Sequence, residues 1–457
     1  MKETVKKNVD LLNGSVKKHL FRMTIPTIGG MLAFSIFNLT DTYFVSKLGT
    51  EALAAMGFTF PVVMVVGSIA SGMSLGAGSA LARAMGQKNH HLMGRIVTDG
   101  ILLSIISVII ISIIGLFTRD QLFTLLGADR TTLPLVKEYM TIWYLCVGVV
   151  IMPPVCDASM RAMGDMLRPS IVMIICALVN VILDPILIFG LFGLPAMGIK
   201  GAAIATVISR FAGMITTLSF VHFHYRLIDF KYENFKELIN SWKQILYVGV
   251  PGIIIRLFPQ LLRGTLTNLA ASIGGVTAVA AIAAGTKIES FATIISMSVG
   301  SAIIPLIGQN WGAEKYDRVN DTRKFTNQVA VCYGLILFIL AIFIAAPVSS
   351  IFTDNQEVID LTKWYLIIMM LGSIGLNLYN WNSQSLNSAK KPRWVMIINA
   401  VGTCVILIPS AVIGAKIYGY IGMLIGLCAG QLTLGGISII IGKINLQRPS
   451  KISEEIA

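Results

Sequence analysis

The sequence predicts an all-α polytopic membrane protein: twelve transmembrane helices in two pseudo-symmetric six-helix lobes that are parallel repeats. Three observations predict it. The 457 residues are 55% hydrophobic and only 13% charged, with a mean hydropathy of +0.77. Apolar runs of about 20 residues, enough to cross a hydrocarbon core about 30 Å thick, recur along the whole chain. The chain also matches itself when slid by about 225 positions.

The first six spans are expected near residues 20–46, 52–83, 93–118, 134–158, 168–192 and 199–222. The second six are expected near 243–272, 277–307, 322–345, 357–384, 393–413 and 420–442. Backbone groups in lipid must be satisfied within their own segment, and the runs lack the alternation of a barrel strand, so the spans are read as helices. The first run is too long, and too poor in a small-residue cleavage site, for a removable signal, so it stays as the first helix. The domain reading is a cytoplasmic segment 1–19, a first lobe 20–222, a linker 223–242, a second lobe 243–442 and a tail 443–457. Mixed charges and aromatics in HFHYRLIDFKYENFKELINSW suit a linker lying on the cytoplasmic membrane surface.

A net charge of +13 invites a nucleic-acid partner in a soluble chain, but here the cations alternate between loops as the positive-inside rule requires. Lys2, Lys6, Lys7, Lys17, Lys18 and Arg22 fall on one side with Arg83, Lys88, Arg95, Arg161 and Arg168. The second half adds Lys315, Arg318, Arg323, Lys324, Lys390, Lys391 and Arg393, then Lys443, Arg448 and Lys451. Both termini are therefore expected in the cytoplasm, with the chain in the cell (inner) membrane and no nucleic acid among its partners. The six cysteines lie inside the spans without metal-type spacing.

The repeat is carried by short matches in shared order. TIPTIGG, with Pro26, falls on GVPGIII, with Pro251; LGTEALAAMG falls on GGVTAVAAIA; Gly86-Gln87 falls on Gly308-Gln309 in the loop after the second helix of each half. LVKEYM falls on LTKWYL, and RPSIVMII near KPRWVMII. Six helices per half make both halves enter the membrane in the same direction, an arrangement in which transporters hold substrate between lobes and expose it alternately.

An ionisable group at the centre of a span costs about 2.5 to 3.5 kcal/mol on the insertion scale, so those that persist mark function or pairing. Asp41 lies about 28 Å along its helix from Arg22, and Asp184 about 24 Å from Arg168 on a helix running the same way. Asn180 is one turn from Asp184, and Asn38 three residues before Asp41. Two carboxamides and two carboxylates at matching depth form a polar pocket; the alternative is that each acid merely ends its helix in solvent. Asp157, with Arg161 at i+4, reads equally as a surface ion pair or as part of the site. In the second half Arg256, Arg263, Lys287 and Glu289 remain, and a packing pair from Glu289 to an Arg or Lys is expected. The positions matching Asp41 and Asp184 fall near Leu266 and Leu407, so only the first lobe carries such acids. His90-His91 and His222-x-His224 lack ligand-spaced neighbours, and solvated histidines are expected rather than a metal. No phosphate loop or nucleophile constellation appears. The chain is read as no enzyme, without cofactor, and driven by an ion gradient.

These residues carry a resemblance. Pro26 with Asn38 and Asp41, then KLGTEALAAMGF, the Gly86-Gln87 turn, RAMGDMLRP and ALVNVILDPILIFG look like the multidrug and toxic compound extrusion (MATE) family over essentially the whole chain. The resemblance implies antiport: H+ or Na+, with H+ read ahead, enters while an amphipathic, often cationic, drug or toxic compound leaves. In the branch that resembles DinF the cation-coupling site maps onto Asp41, Asn180 and Asp184, with Asp157 and Thr206 beside it and Na+ possible at the first three. Asn is more usual than Asp at position 157. Asn38, Tyr139, Met173 and Gln260 are expected to line the substrate cavity, and Pro26 to act as the hinge. The NorM-like branch keeps acids in its second lobe, where this chain has Gln260, Asn377 and Asn380. The implied partners are small-molecule drugs or organic cations and the lipid bilayer, around a monomer. Alternatives are a lipid-linked precursor flippase of the same superfamily and an exporter of one native metabolite; an ion channel and a membrane-embedded enzyme are more distant readings.

Overall fold

The computed structural model describes residues 10–229 and 235–447. Lys2, Lys6, Lys7, Arg448 and Lys451, which the orientation argument counts, lie outside the described residues, as do parts of the 1–19, 223–242 and 443–457 segments. The first half folds into α1 (Val16–Ser46), α2 (Thr50–Gly86), α3 (His90–Leu125), α4 (Thr132–Leu145), α5 (Gly148–Ala162), α6 (Leu167–Phe189) and α7 (Gly198–Ser219), which runs on through a π-helical turn at Phe220–His224. The second half has α8 (Phe235–Ile255), α9 (Phe258–Gly312), α10 (Tyr316–Ser349), α11 (Gln356–Ser388), α12 (Pro392–Val401) and α13 (Ile408–Asn445). The protein is a multi-pass membrane protein: nine helical stretches among the described residues are long and apolar enough to cross, ten with the bent pair α4–α5.

Two of those nine contain turns. Gly274 and Gly275 leave helical geometry within α9, as Tyr418 and Gly419 do within α13. At the second, the chain folds back on itself. A Cβ on Gly414 would fall 2.0 Å from Gly422 O, and one on Gly426 2.1 Å from Ser410 O, so the two arms meet backbone to backbone around residue 418. Dividing α9 and α13 at these turns brings the count into line with twelve passes.

The repeat is written in the turns more sharply than in the side chains. Positive φ angles recur 226 positions apart at Gly49 and Gly275, Lys88 and Glu314, Gly164 and Lys390, and Gly193 and Gly419. This register corrects one match: Gly308-Gln309 lies in the buried last turns of α9, not in a loop, and Gly312 is the true counterpart of Gly86. The span expected as one helix at 134–158 is two, α4 and α5, bent by 45°. Pro153 and Pro154 inside α5 deny hydrogen bonds to the carbonyls of Val149 and Val150, which loosens the first turn of α5 at that bend.

The chain divides into two compact units. One holds Arg22–Val250; the other holds Leu11–Phe21 and the chain from Pro251 onward. Within the first, Gly76 of α2 admits the Ile245 carbonyl of α8, and Trp242 Nε1 donates to Asp99 O at 2.9 Å. Within the second, Arg318 donates to the carbonyls of Leu11, Asn13 and Gly14, at 3.2, 2.9 and 2.8 Å, tying residues 11–14 to α10. Arg95, counted above as a loop cation, is 1% exposed and paired with Asp99, one turn on along α3.

Candidate functional site

On α1 the buried positions Met23, Thr27, Gly30, Phe37, Asp41 and Val45 repeat at the spacing of one helical face. Asp41 is thereby turned into the first unit and is 5% exposed. On α6 the same logic buries Val172, Ala177, Asn180, Asp184 and Leu187. Asn180 Nδ2 donates to Asp184 Oδ1 at 3.0 Å. Asp41 and Asp184 each stand five residues from the far ends of their helices, Ser46 and Phe189, which is about 7 to 8 Å along each axis. The two acids are within electrostatic reach of each other, and Tyr139 of α4 is within reach of both.

α7 packs antiparallel to α6. Gly201 meets Leu187 and Gly213 meets Cys176, and interpolating between those contacts puts Thr206 level with residues 182 and 183, between Asn180 and Asp184. Four buried oxygens of this group lack a hydrogen-bond partner: Asp41 Oδ1, Asp184 Oδ2, Asn180 Oδ1 and Thr206 Oγ1. Burial of unmatched carboxylate oxygens is unfavourable. A proton or a hard cation satisfies such a set, because carboxylate, amide and hydroxyl oxygens suit both.

A second tier lies further along the same helices. Thr206, Arg210, Gly213 and Thr217 share one face of α7. Thr217 Oγ1 donates to Asp157 Oδ1 at 3.1 Å. The Arg210 guanidinium lies over the rings of Phe34 and Phe37, 5.1 and 4.8 Å from their centroids, and those rings are parallel within 3°. Asp157 is within electrostatic reach of both Arg161 and Arg210, yet neither arginine forms an ion pair within 4.0 Å among the described residues. The i, i+4 surface pair open for Asp157 and Arg161 is therefore not what forms.

The other expected residues are placed apart from these tiers. Asn38 is exposed and turns its Nδ2 back to Phe34 O at 2.8 Å, so it does not join Asp41. Met173 is half-buried on α6, and Pro26 lies inside α1 with its side chain half-buried. In the second unit Gln260 and Asn380 are exposed, whereas Asn377 is buried and accepts from Ser296. Glu289 takes its hydrogen bond from Tyr365 OH at 2.7 Å instead of a cation, with Arg263 in electrostatic reach. That corrects the expected packing pair: a phenol stabilises the half-buried carboxyl without bringing a second charge out of water.

Sequence reading missed Arg210 and placed Arg161 in a loop. The signal for Arg210 was present, since it stands twelve residues into α7, about 18 Å from the end of that helix.

A bundle of apolar helices that buries a carboxylate pair in one of two repeated units defines a membrane transporter. The chain belongs to the MatE family, whose model matches residues 26–186 and again 251–413, once in each half. It is 31% identical to the FAD transporter of Shewanella oneidensis, over 93% of this chain and 94% of that one. It is 24% identical to the multidrug export protein MepA of Staphylococcus haemolyticus, over 93% of each. Its fold matches a Vibrio cholerae MATE transporter, VcmN, in the bent form, with a TM-score of 0.89 at 26% identity, covering 97% of this chain and 98% of that one. These relatives are transporters, not enzymes.

Proposed function

We propose that the protein is a cation-coupled exporter working by alternating access, with Asp41, Asp184, Asn180 and Thr206 as its coupling site and H+ as the coupling ion. The observation that carries this reading is the set of four unmatched buried oxygens on α1, α6 and α7. Burial favours the neutral form of a carboxyl, and neighbouring carboxyls release their protons as a coupled group. Protonation removes the repulsion between α1 and α6 and lets α1 rearrange at Pro26, where a missing N–H weakens the helix. Tyr139, within electrostatic reach of both acids, stands beside this site. Na+ is the competing ion, and the same oxygens would ligate it.

The test uses liposomes in which ΔpH and ΔNa+ are imposed separately while efflux of a loaded fluorescent compound is followed. Asp41→Asn and Asp184→Asn are expected to cut gradient-driven efflux by about 100-fold. Wild-type rates in both variants under both gradients would sink the coupling reading.

On substrate, a second reading is favoured over broad drug export: a single anionic metabolite of the flavin-dinucleotide class. It is supported by the higher identity to the FAD transporter than to the multidrug exporter, and by unpaired arginines inside the first unit. Efflux of FAD compared with ethidium from the same liposomes separates the two; faster ethidium efflux favours broad drug export.

A further inference from the structure

Arg210 is the least explained side chain in the first unit. It is half-buried on the inward face of α7, between Thr206 and Thr217. Its five N–H donors find no acceptor among the described residues, and its contacts are the Phe34 and Phe37 ring faces. Asp41 and Asp157 are within electrostatic reach, but neither approaches to ion-pair distance. Arg161 of α5 is similar: its Nε is buried without a partner, and Asp157 lies near but unpaired.

Leaving a guanidinium unpaired within a membrane span is unfavourable, and such a group is retained when it faces a water-filled cavity or a ligand. Two of them facing one carboxylate leave this tier with a formal charge of +1, whereas the Asp41–Asp184 tier carries −2 when ionised. Guanidinium forks match carboxylate and phosphate groups bidentately, and they stack on flat rings. Phe34 is 40% exposed while Phe37 is 4% exposed, so one ring of the platform stays accessible to a planar ring system.

From this we infer that Arg210 and Arg161, with the Phe34–Phe37 platform, form a substrate-recognition subsite selective for a flat aromatic compound carrying a negatively charged group. The inference rests on the exporter reading only in calling the ligand a substrate. It adds charge selection, which the carboxylate tier by itself would set the other way. Arg210 binds the anion, Arg161 reinforces it from α5, and the rings take the planar portion. Because Phe34, Phe37 and Asp41 share α1, movement of that helix on protonation also carries the platform away from Arg210 of α7, which links release to the coupling ion by geometry.

The test is equilibrium binding to the full chain in nanodiscs, with no gradient, using carboxyfluorescein and rhodamine 123, which share a xanthene core and differ in charge. The wild type is expected to bind the anionic dye at least about tenfold more tightly, as expected for charge-assisted hydrogen bonds. Arg210→Gln should invert that preference, Arg210→Lys should keep it, and Arg161→Gln should weaken the anionic dye alone. Phe34→Leu should weaken both dyes alike. A wild type that prefers the cation, or an Arg210→Gln variant with an unchanged dye ratio, overturns the inference. If Arg210→Gln fails to fold, the Arg161→Gln and Arg210→Lys ratios decide in the same way. Wild-type efflux that responds to neither ΔpH nor ΔNa+, with the dye ratio intact, would instead count against the exporter reading.

Discussion

Tyr139 in the first unit and Tyr365 in the second stand 226 positions apart, the spacing at which the positive-φ turns recur. Each phenol faces acid, but the acid comes from different places. Tyr139 is near Asp41 of α1 and Asp184 of α6, whereas Tyr365 bonds to Glu289 of α9. At the same spacing, Asp41 and Asp184 correspond to Thr267 and Ser410, Arg210 to Gly436 and Asp157 to Ser383. The duplicated frame kept its turns and its tyrosine while the ionisable groups were distributed separately. The first unit therefore holds the Asp41–Asp184 pair with open oxygens, and the second holds Glu289, whose hydrogen bond is already made.

The largest expected effect sets those acids against each other. Asp184→Asn should cut gradient-driven efflux by about 100-fold, near the top of the range for coupling between sites. Glu289→Gln should leave the gradient dependence intact, because its carboxyl is committed to Tyr365. Efflux measured with and without ΔpH gives the answer, and an equal loss of coupling in Glu289→Gln would break the asymmetry. A smaller effect, about tenfold, is expected for Thr206→Val and for Asn180→Leu, which each remove one of the four oxygens; unchanged efflux in both would remove α7 from the site.

The two tyrosines separate stability from transport. Tyr365→Phe leaves the half-buried Glu289 carboxyl without its donor, which costs about 1 kcal/mol and should lower Tm. Tyr139→Phe should change transport more than Tm. Thermal melts beside efflux assays check both, and a lower Tm in Tyr139→Phe alone would reverse the comparison.

The spans and the acid pair were legible because both rest on counting along a helix. Hydropathy sets where a helix crosses, and 1.5 Å per residue sets the depth of Asp41 and Asp184. What counting along one helix does not supply is which way a side chain points and what the next helix presents to it. Asn38 has the right depth and the wrong face, and it bonds to its own backbone. Arg161 and Arg95 read as loop cations because each is near a helix end, yet packing turns Arg95 inward onto Asp99. Arg210 interacts with α1, a helix about 170 positions away in sequence, and no local pattern on α7 announces that.

The smallest effect tests the repeat outside the membrane spans. Asp129 Oδ1 accepts from the amides of Thr131 and Thr132 at the start of α4, at 3.1 and 2.8 Å. Asn355, 226 positions on, accepts through its side-chain oxygen from the amides of Glu357 and Val358 in the first turn of α11, at 3.0 and 3.3 Å. The two caps have one geometry and differ in charge. The backbone and hydroxyl hydrogen bonds from Thr132, reinforced by Thr131, hold the Asp129 carboxyl down at about 2. A depressed acid contributes its stabilisation above the unfolded value, about 3.9, and loses it as pH falls through the folded value. Asp129→Asn should therefore make the first cap behave like the second. Its amides at 131 and 132 should exchange slightly faster than wild type at neutral pH, and no faster than wild type near pH 2. Exchange compared between the two proteins at each pH reads this directly. A difference that persists unchanged to pH 2 would mean that the cap acts through shape alone and that the charge substitution between the repeats has no energetic consequence there.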